Sequence, residues 1–187
     1  EKEVIPFETN YRKTPLLGKN QTRTLVNGSD GELKKTFKNT LTNKEVTDSE
    51  LIEEKILKEP KDASVLVGGN VPVSNLDFGV PLDANGNPVN YKAVFKNQIC
   101  TGYSGNNARG ASGKRLSAGS VAVRASQFPY GTKLYIKSTD GSFIYGSAVA
   151  ADTGLGLVQN AIDIDLFYDS YMESCLNGRR ILDVYVL

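Results

Sequence analysis

The residues from Ile162 to Asp169 (IDIDLFYD) alternate strictly with period two. In a strand, Asp163, Asp165, Phe167 and Asp169 point to one face, and Ile162, Ile164, Leu166 and Tyr168 to the other. One face is ordinary core. The other is a row of acids that folding alone does not select, because like charges repel and a buried carboxylate is costly. Another carboxylate, Asp152, stands just upstream in Ala150-Ala151-Asp152-Thr153-Gly154, among small residues. The stretch therefore calls for a sheet and offers on it candidate residues for acid–base chemistry.

Composition removes the competitors. The chain of 187 residues has no His and no Trp. Without His there is no Ser-His-Asp or Cys-His catalysis and no His-based zinc site. Acid–base work falls to Asp, Glu, Lys or Tyr. Two cysteines, Cys100 and Cys175, cannot make a four-ligand zinc site, so neither a metal nor a cofactor is expected. They are either a disulfide or two free thiols. The formal net charge of +1 carries no basic patch and points away from nucleic acid. No apolar run of about 18 residues exists, so no membrane span is expected. The glycine-rich loop from Gly105 to Lys114 lacks phosphate-loop spacing, with Ala108 where Gly is needed and Arg115 in place of Ser or Thr. A single Asp152-Thr153-Gly154 cannot supply the two-aspartate dyad of an aspartic protease.

In chain order, residues 1–69 read as a β-rich unit. Gln21–Val26 and Glu32–Leu41 are strand-like, and the Asn27-Gly28 and Ser29-Asp30-Gly31 turns between them predict a hairpin. Lys44–Leu57 holds many helix formers, yet Val46, Leu51, Ile56 and Leu57 do not form a 3.6-residue stripe. Residues 70–92 are a connector rich in Pro and Gly, with a hairpin turn at Asn85-Gly86 rather than a calcium loop. Residues 93–187 are short strands and long polar turns, including a Gly-rich loop from Tyr103 to Ser120. Ser170 to Glu173 has the spacing of a capping box, with Gly178 ending the short helix that follows.

The pattern of IPFET and Tyr11, Gly18, NG-SDG and KEP-KD-SVLVG in residues 1–69 resembles the G5 domain. That resemblance implies an elongated β module that binds amino-sugar polymers. A stalk or spacer is the plainer reading of the same residues.

CTGYSG, ASGKRLSAGSVAV, FPYGTKLYI, AVAADTG, IDLFYDSYMES and GRRILDVYVL, in that order, resemble the three-aspartate (3D) domain. The family is similar to membrane-bound lytic transglycosylase A and to the stationary-phase survival muralytic proteins. The resemblance implies a mainly β chain in which a six-stranded double-psi β-barrel with a short helix follows the β module. It also implies cleavage of peptidoglycan glycan strands by a lytic transglycosylase, leaving 1,6-anhydro-muramyl ends through one Asp that acts as acid and then base. The implied catalytic residues are Asp165 and Asp152. Asp163 is the alternative to Asp165, because counting without a gap from Asp152 reaches Asp163, whereas matching DLFYDS reaches Asp165. The implied substrate contacts are Thr101, Tyr103, Ser112, Lys114, Thr153 and Gly154. The expected setting is a secreted or cell-surface bacterial protein, a monomer, whose partner is the peptidoglycan glycan strand. Two departures weigh against activity. Arg124 stands where the family often has Asp, and Leu155-Gly156-Leu157-Val158-Gln159 replaces a small-residue and Lys run. The rival reading is therefore a non-catalytic wall-binding or structural module with a degenerate site.

Overall fold

The computed structural model describes all residues from 1 to 187. The chain is mainly β and divides into two compact units. The first comprises residues 1–12 and 22–67, the second 13–21 and 68–187.

In the first unit, β1 (Lys2–Ile5), β4 (Gly31–Thr42) and β5 (Glu45–Lys58) form one antiparallel sheet in the order β1-β4-β5. A second sheet has the order β2-β6-β3, with β2 at Thr9–Thr14, β3 at Thr22–Val26 and β6 at Ala63–Gly68. The hairpin expected between β3 and β4 is absent: β3 pairs with β6, and β4 pairs with β1 and β5. Gly31 serves close packing instead. A Cβ there would lie 2.6 Å from the Lys58 carbonyl and 2.7 Å from the Pro60 nitrogen, so only glycine lets the backbones approach. The segment rich in helix formers is the 14-residue strand β5. Its exposed polar positions leave packing no say, but its pairing with β4 satisfies the backbone.

The second unit is a closed six-stranded barrel in the order β10-β8-β11-β7-β12-β9. Its strands are β7 (Ala93–Ser104), β8 (Ser120–Val123), β9 (Lys133–Lys137), β10 (Ile144–Asp152), β11 (Ile164–Tyr168) and β12 (Arg180–Val186). The pairs β10/β8 and β11/β7 are parallel, and the other ladders antiparallel. Closure removes the sheet edges, so every strand can bury a face. Val121, Leu134, Ile136, Tyr145, Ile164, Leu166, Tyr168 and Val184 fill the interior. The Tyr145 hydroxyl sits among them, accepting from Gly119 N at 3.0 Å and facing the Phe167 carbonyl at 2.8 Å.

Two short helices follow strands, α1 (Leu155–Val158) and α2 (Tyr171–Asn177). Ser170 caps α2 by accepting from Glu173 N, and its hydroxyl donates to Glu173 Oε2. No helix is long and apolar enough to cross a membrane. Residues 70–92 lie along the barrel. Val73 N and Ser74 N donate to the Ile144 and Tyr145 carbonyls. The buried Lys137 ammonium donates to Asn85 O at 2.7 Å and Asn87 Oδ1 at 2.8 Å. Asp83, Asn85 and Asn87 thus close around an internal cation supplied by the chain. Cys100 is buried and Cys175 exposed, both as free thiols.

Candidate active site

Alternation puts Ile164, Leu166 and Tyr168 of β11 in the barrel core and turns Asp165 and Phe167 to the outer face. The strand is shorter than the alternating sequence, so Asp163 and Asp169 fall just outside its ends. The three acids then have different surroundings.

Asp165 sits in the middle of a rung that crosses four strands. It pairs with Thr101 on β7 and with Ala122 on β8, and Ala122 pairs in turn with Asp152 on β10. Asp152 reaches that rung through a register shift. Ala150 opposes Val121, the next pair is Asp152 with Ala122, and Ala151 is bulged out. Without the bulge, Ala151 would oppose Ala122 and Asp152 would follow the core-facing phase of Ala150. The extra residue re-aims Asp152 to the outer face that carries Asp165. The small Ala122, buried at 3% exposure, stands between the two acids on the rung.

The carboxylates differ in their bonds. Asp152 accepts three: Tyr103 Oη–H to Oδ2 at 3.0 Å, Ala111 N–H to Oδ1 at 2.8 Å, and Thr153 N–H to Oδ1 at 2.9 Å. Asp165 accepts the Thr101 hydroxyl on Oδ1 at 2.8 Å. Burial pushes the Asp165 carboxyl above the usual range, and the nearby Asp152 charge pushes the same way, outweighing the Thr101 hydrogen bond. Tyr103 is likewise raised, first by burial and then by Asp152 and Asp165, and so keeps its proton for donation. Its ring packs edge-on against Phe167 with centroids 5.2 Å apart. Phe167, Leu116 and Ala151 form a small apolar cluster beside the acids, with Tyr103 and Ala108 against it.

Asp163 belongs to a different arrangement. Its Oδ2 accepts Ile99 N–H and its Oδ1 accepts Arg124 Nη2, both at 2.9 Å. Burial works to raise it, but the Ile99 and Arg124 bonds win and hold it below the ordinary carboxylate range. Arg124 also donates to Ile162 O and Gln127 Oε1. This arginine thus pins the entry to β11. Asp169 directly precedes Ser170, the N-cap of α2; its Oδ1 accepts Ala118 N–H at 2.9 Å and ties down the end of the glycine-rich loop.

Thr101 and Tyr103 hold the two acids directly. Ser112 is half-buried and its N–H donates to Ala151 O at 3.1 Å, while Lys114 and Thr153 are exposed and Gly154 precedes α1. Gly110 lets the loop come down here, since a Cβ would collide with the Ala151 carbonyl. The Ala111 amide on Asp152 had no sequence signal, because a backbone donor can come from any residue. The Arg124–Asp163 pair had one: a basic residue where an acid is common, together with an extra acid at Asp163.

The G5 domain model matches residues 1–70 and the 3D domain model matches residues 119–187. The chain carries a G5 domain followed by a 3D domain. Solved structures similar to it include the G5 domain of HP0197, with 18% identity and a TM-score of 0.34, over 36% of this chain and 88% of that one. MltA from Escherichia coli, a lytic transglycosylase, has 24% identity and a TM-score of 0.36, over 43% of this chain and 27% of that one. MltA with bound chitohexaose has 23% identity and a TM-score of 0.33, with the same shares. This chain therefore spans 27% of those MltA chains. No curated protein matches it.

Proposed function

We propose that the 3D barrel is a peptidoglycan glycan-cleaving domain of an exported bacterial cell-wall protein, a lytic transglycosylase with Asp165 as its acid–base residue. The observation that carries this reading is the unequal pair on one rung. Asp152 is held by three donors, and burial, with the Asp152 charge beside it, keeps a proton on Asp165 to higher pH than an ordinary carboxylate.

The chemistry follows from one carboxyl group. Protonated Asp165 gives its proton to the glycosidic oxygen between N-acetylmuramic acid and N-acetylglucosamine, and the C1–O bond breaks toward an oxocarbenium ion. Asp165, now a carboxylate, takes the proton of the muramyl C6 hydroxyl. The C6 oxygen bonds to C1, closing a 1,6-anhydro ring and returning Asp165 to its protonated form. Thr101 orients the carboxyl group through Oδ1. Tyr103 and the Ala111 amide hold Asp152 as the neighbouring charge. Arg124 is occupied by Asp163, Gln127 and Ile162 O and is not among the groups that bear on Asp165, which favours a working site over a degenerate one.

Purified chain incubated with cell-wall sacculi should release anhydro-muropeptides, read by mass spectrometry. Asp165→Asn should lower release by about 10²–10⁴-fold, and Asp163→Asn should leave most of it. Asp165→Asn should also raise Tm at neutral pH. A raised carboxyl favours the folded state most below the unfolded pKa and loses that contribution as pH climbs through the folded one, so the gain should vanish on acidification. Full release by Asp165→Asn sinks the assignment. No release by the wild type hands the barrel to wall binding.

A further inference from the structure

Lys137, the last residue of β9, is only 2% exposed. A buried charge is normally paired with an opposite one. The residue opposite Lys137 in the ladder is Asp183, equally buried, yet the two form no ion pair. Asp183 accepts Asn97 N–H at 3.0 Å and the Thr139 hydroxyl at 2.9 Å instead. The ammonium turns to two neutral oxygens, Asn85 O and Asn87 Oδ1. Asp83 is near enough to feel its charge, but that carboxylate is taken by Asn85 N–H, Asn87 N–H and the Asn87 side-chain amide. An ammonium has three N–H donors, so Lys137 keeps one donor and most of its charge uncompensated.

The same lysine lines a polar cleft of about 550 Å³, a volume in the range of small-ligand sites. Asn70, Asn85, Thr139 and Asp140 line it as well. Gly86 stands over the ammonium with φ +72°, and a Cβ there would lie 3.9 Å from Nζ, so glycine leaves the approach free of a side chain. At the other side of the cleft, the Ser138 hydroxyl and the Ser142 N–H and hydroxyl all donate to Asp140 Oδ1. They lower Asp140 to about 2 and leave Oδ2 for a donor from outside.

We propose that this cleft is a second glycan subsite, which takes the free lactyl carboxylate of a muramyl residue on Lys137 and sugar hydroxyls on Asp140. The ligand follows from the lining. A buried ammonium with a spare donor calls for an anion, and the Asn70 and Asn85 amides add neutral donors beside it. Asp140 would repel a bare anion, so the same ligand must also bring donors, as sugar hydroxyls do. This inference rests on the reading of the chain as one that acts on peptidoglycan strands. In such a strand the lactyl carboxyl is an amide wherever a peptide stem is attached. The cleft therefore selects muramyl residues whose stem an amide-cleaving reaction has already removed. It stands apart from the catalytic rung. Ile144, in the lining, begins β10, and Asp152 ends it, a separation on the order of 25 Å along the strand. Its role is to hold a strand, not to cut it.

The test is amide-shift mapping of the full chain by NMR during titration with N-acetylmuramic acid, a single sugar that cannot be cleaved. Gly86, Gly141 and Ile144 should shift and saturate, with a Kd on the order of 1 mM. N-acetylglucosamine, which lacks the lactyl group, and the lactyl amide of N-acetylmuramic acid should each bind about tenfold more weakly. Lys137→Met should abolish the response. Because that variant also loses the bonds to Asn85 and Asn87, Asn85→Ala is the companion: it keeps the backbone carbonyl that Lys137 uses, so Tm should hold while affinity falls about threefold or more. Equal binding of the three sugars, shifts confined to the Asp152 and Asp165 rung, or wild-type affinity in both variants overturns the proposal. None of these readings depends on turnover. A wild type that binds here but releases no anhydro-muropeptides would overturn the cleavage assignment and leave this subsite standing.

Discussion

Every strand of the barrel places a buried residue in one core, from Cys100 on β7 to Leu182 and Val184 on β12, whereas β5 of the G5 ribbon is exposed at every position. Both regions satisfy their backbones by pairing. Only the barrel adds the removal of side chains from water, worth roughly 25 cal/mol per Å² of apolar surface. That difference decides what each can do. A packed barrel can hold a carboxyl half-buried and away from its ordinary proton affinity, as it does Asp165. A ribbon exposed along all of β5 and the second half of β4 can instead offer a long patterned surface.

The largest effect should come from Leu166→Ala, at a position with no exposure. It should cost about 2–5 kcal/mol in a denaturant titration. A loss near zero would mean the barrel core is not what holds that unit. Tyr145→Phe comes next. It strands the Gly119 N–H and a buried carbonyl, and about 1–3 kcal/mol is expected, with faster amide exchange at Gly119 as the local readout.

Arg124→Ala should cost about 1 kcal/mol, since its pair with Asp163 is partly open to water. Asp163 is lowered in the folded state, so its contribution is present above the unfolded pKa and fades as pH falls through the folded one. The gap between wild type and variant should therefore close in acid, and a pH-independent gap would assign the loss to packing. The smallest effect belongs to Leu51→Ala in dilute solution, within about 0.5 kcal/mol. A loss as large as that of Leu166→Ala would erase the contrast between ribbon and core.

Much of the local structure was legible because short-range chemistry writes it. Period two marked β11, Ser170 and Glu173 marked the start of α2, and the turn at Asn85-Gly86 read as a hairpin rather than a metal loop. The β3–β4 hairpin misread the glycines. A turn glycine and a glycine that admits a neighbouring backbone look identical in one dimension, and Gly31 is of the second kind. β5 was obscure for a related reason. Its five-residue apolar spacing fits neither a helix nor a strand until bulges are allowed.

By itself the sequence determined that this chain is a β protein, that any acid–base chemistry falls to Asp, Glu, Lys or Tyr, and which aspartates were candidates. Only the tertiary structure decided how those aspartates divide. Asp152 meets the face of Asp165 because one residue is bulged at Ala151, and Asp163 leaves it because Arg124, on another strand's end, takes it. Alternation along one strand sets which side chains share a face. Pairing between strands far apart in sequence sets which of them share a site, and a single bulge is enough to change the answer.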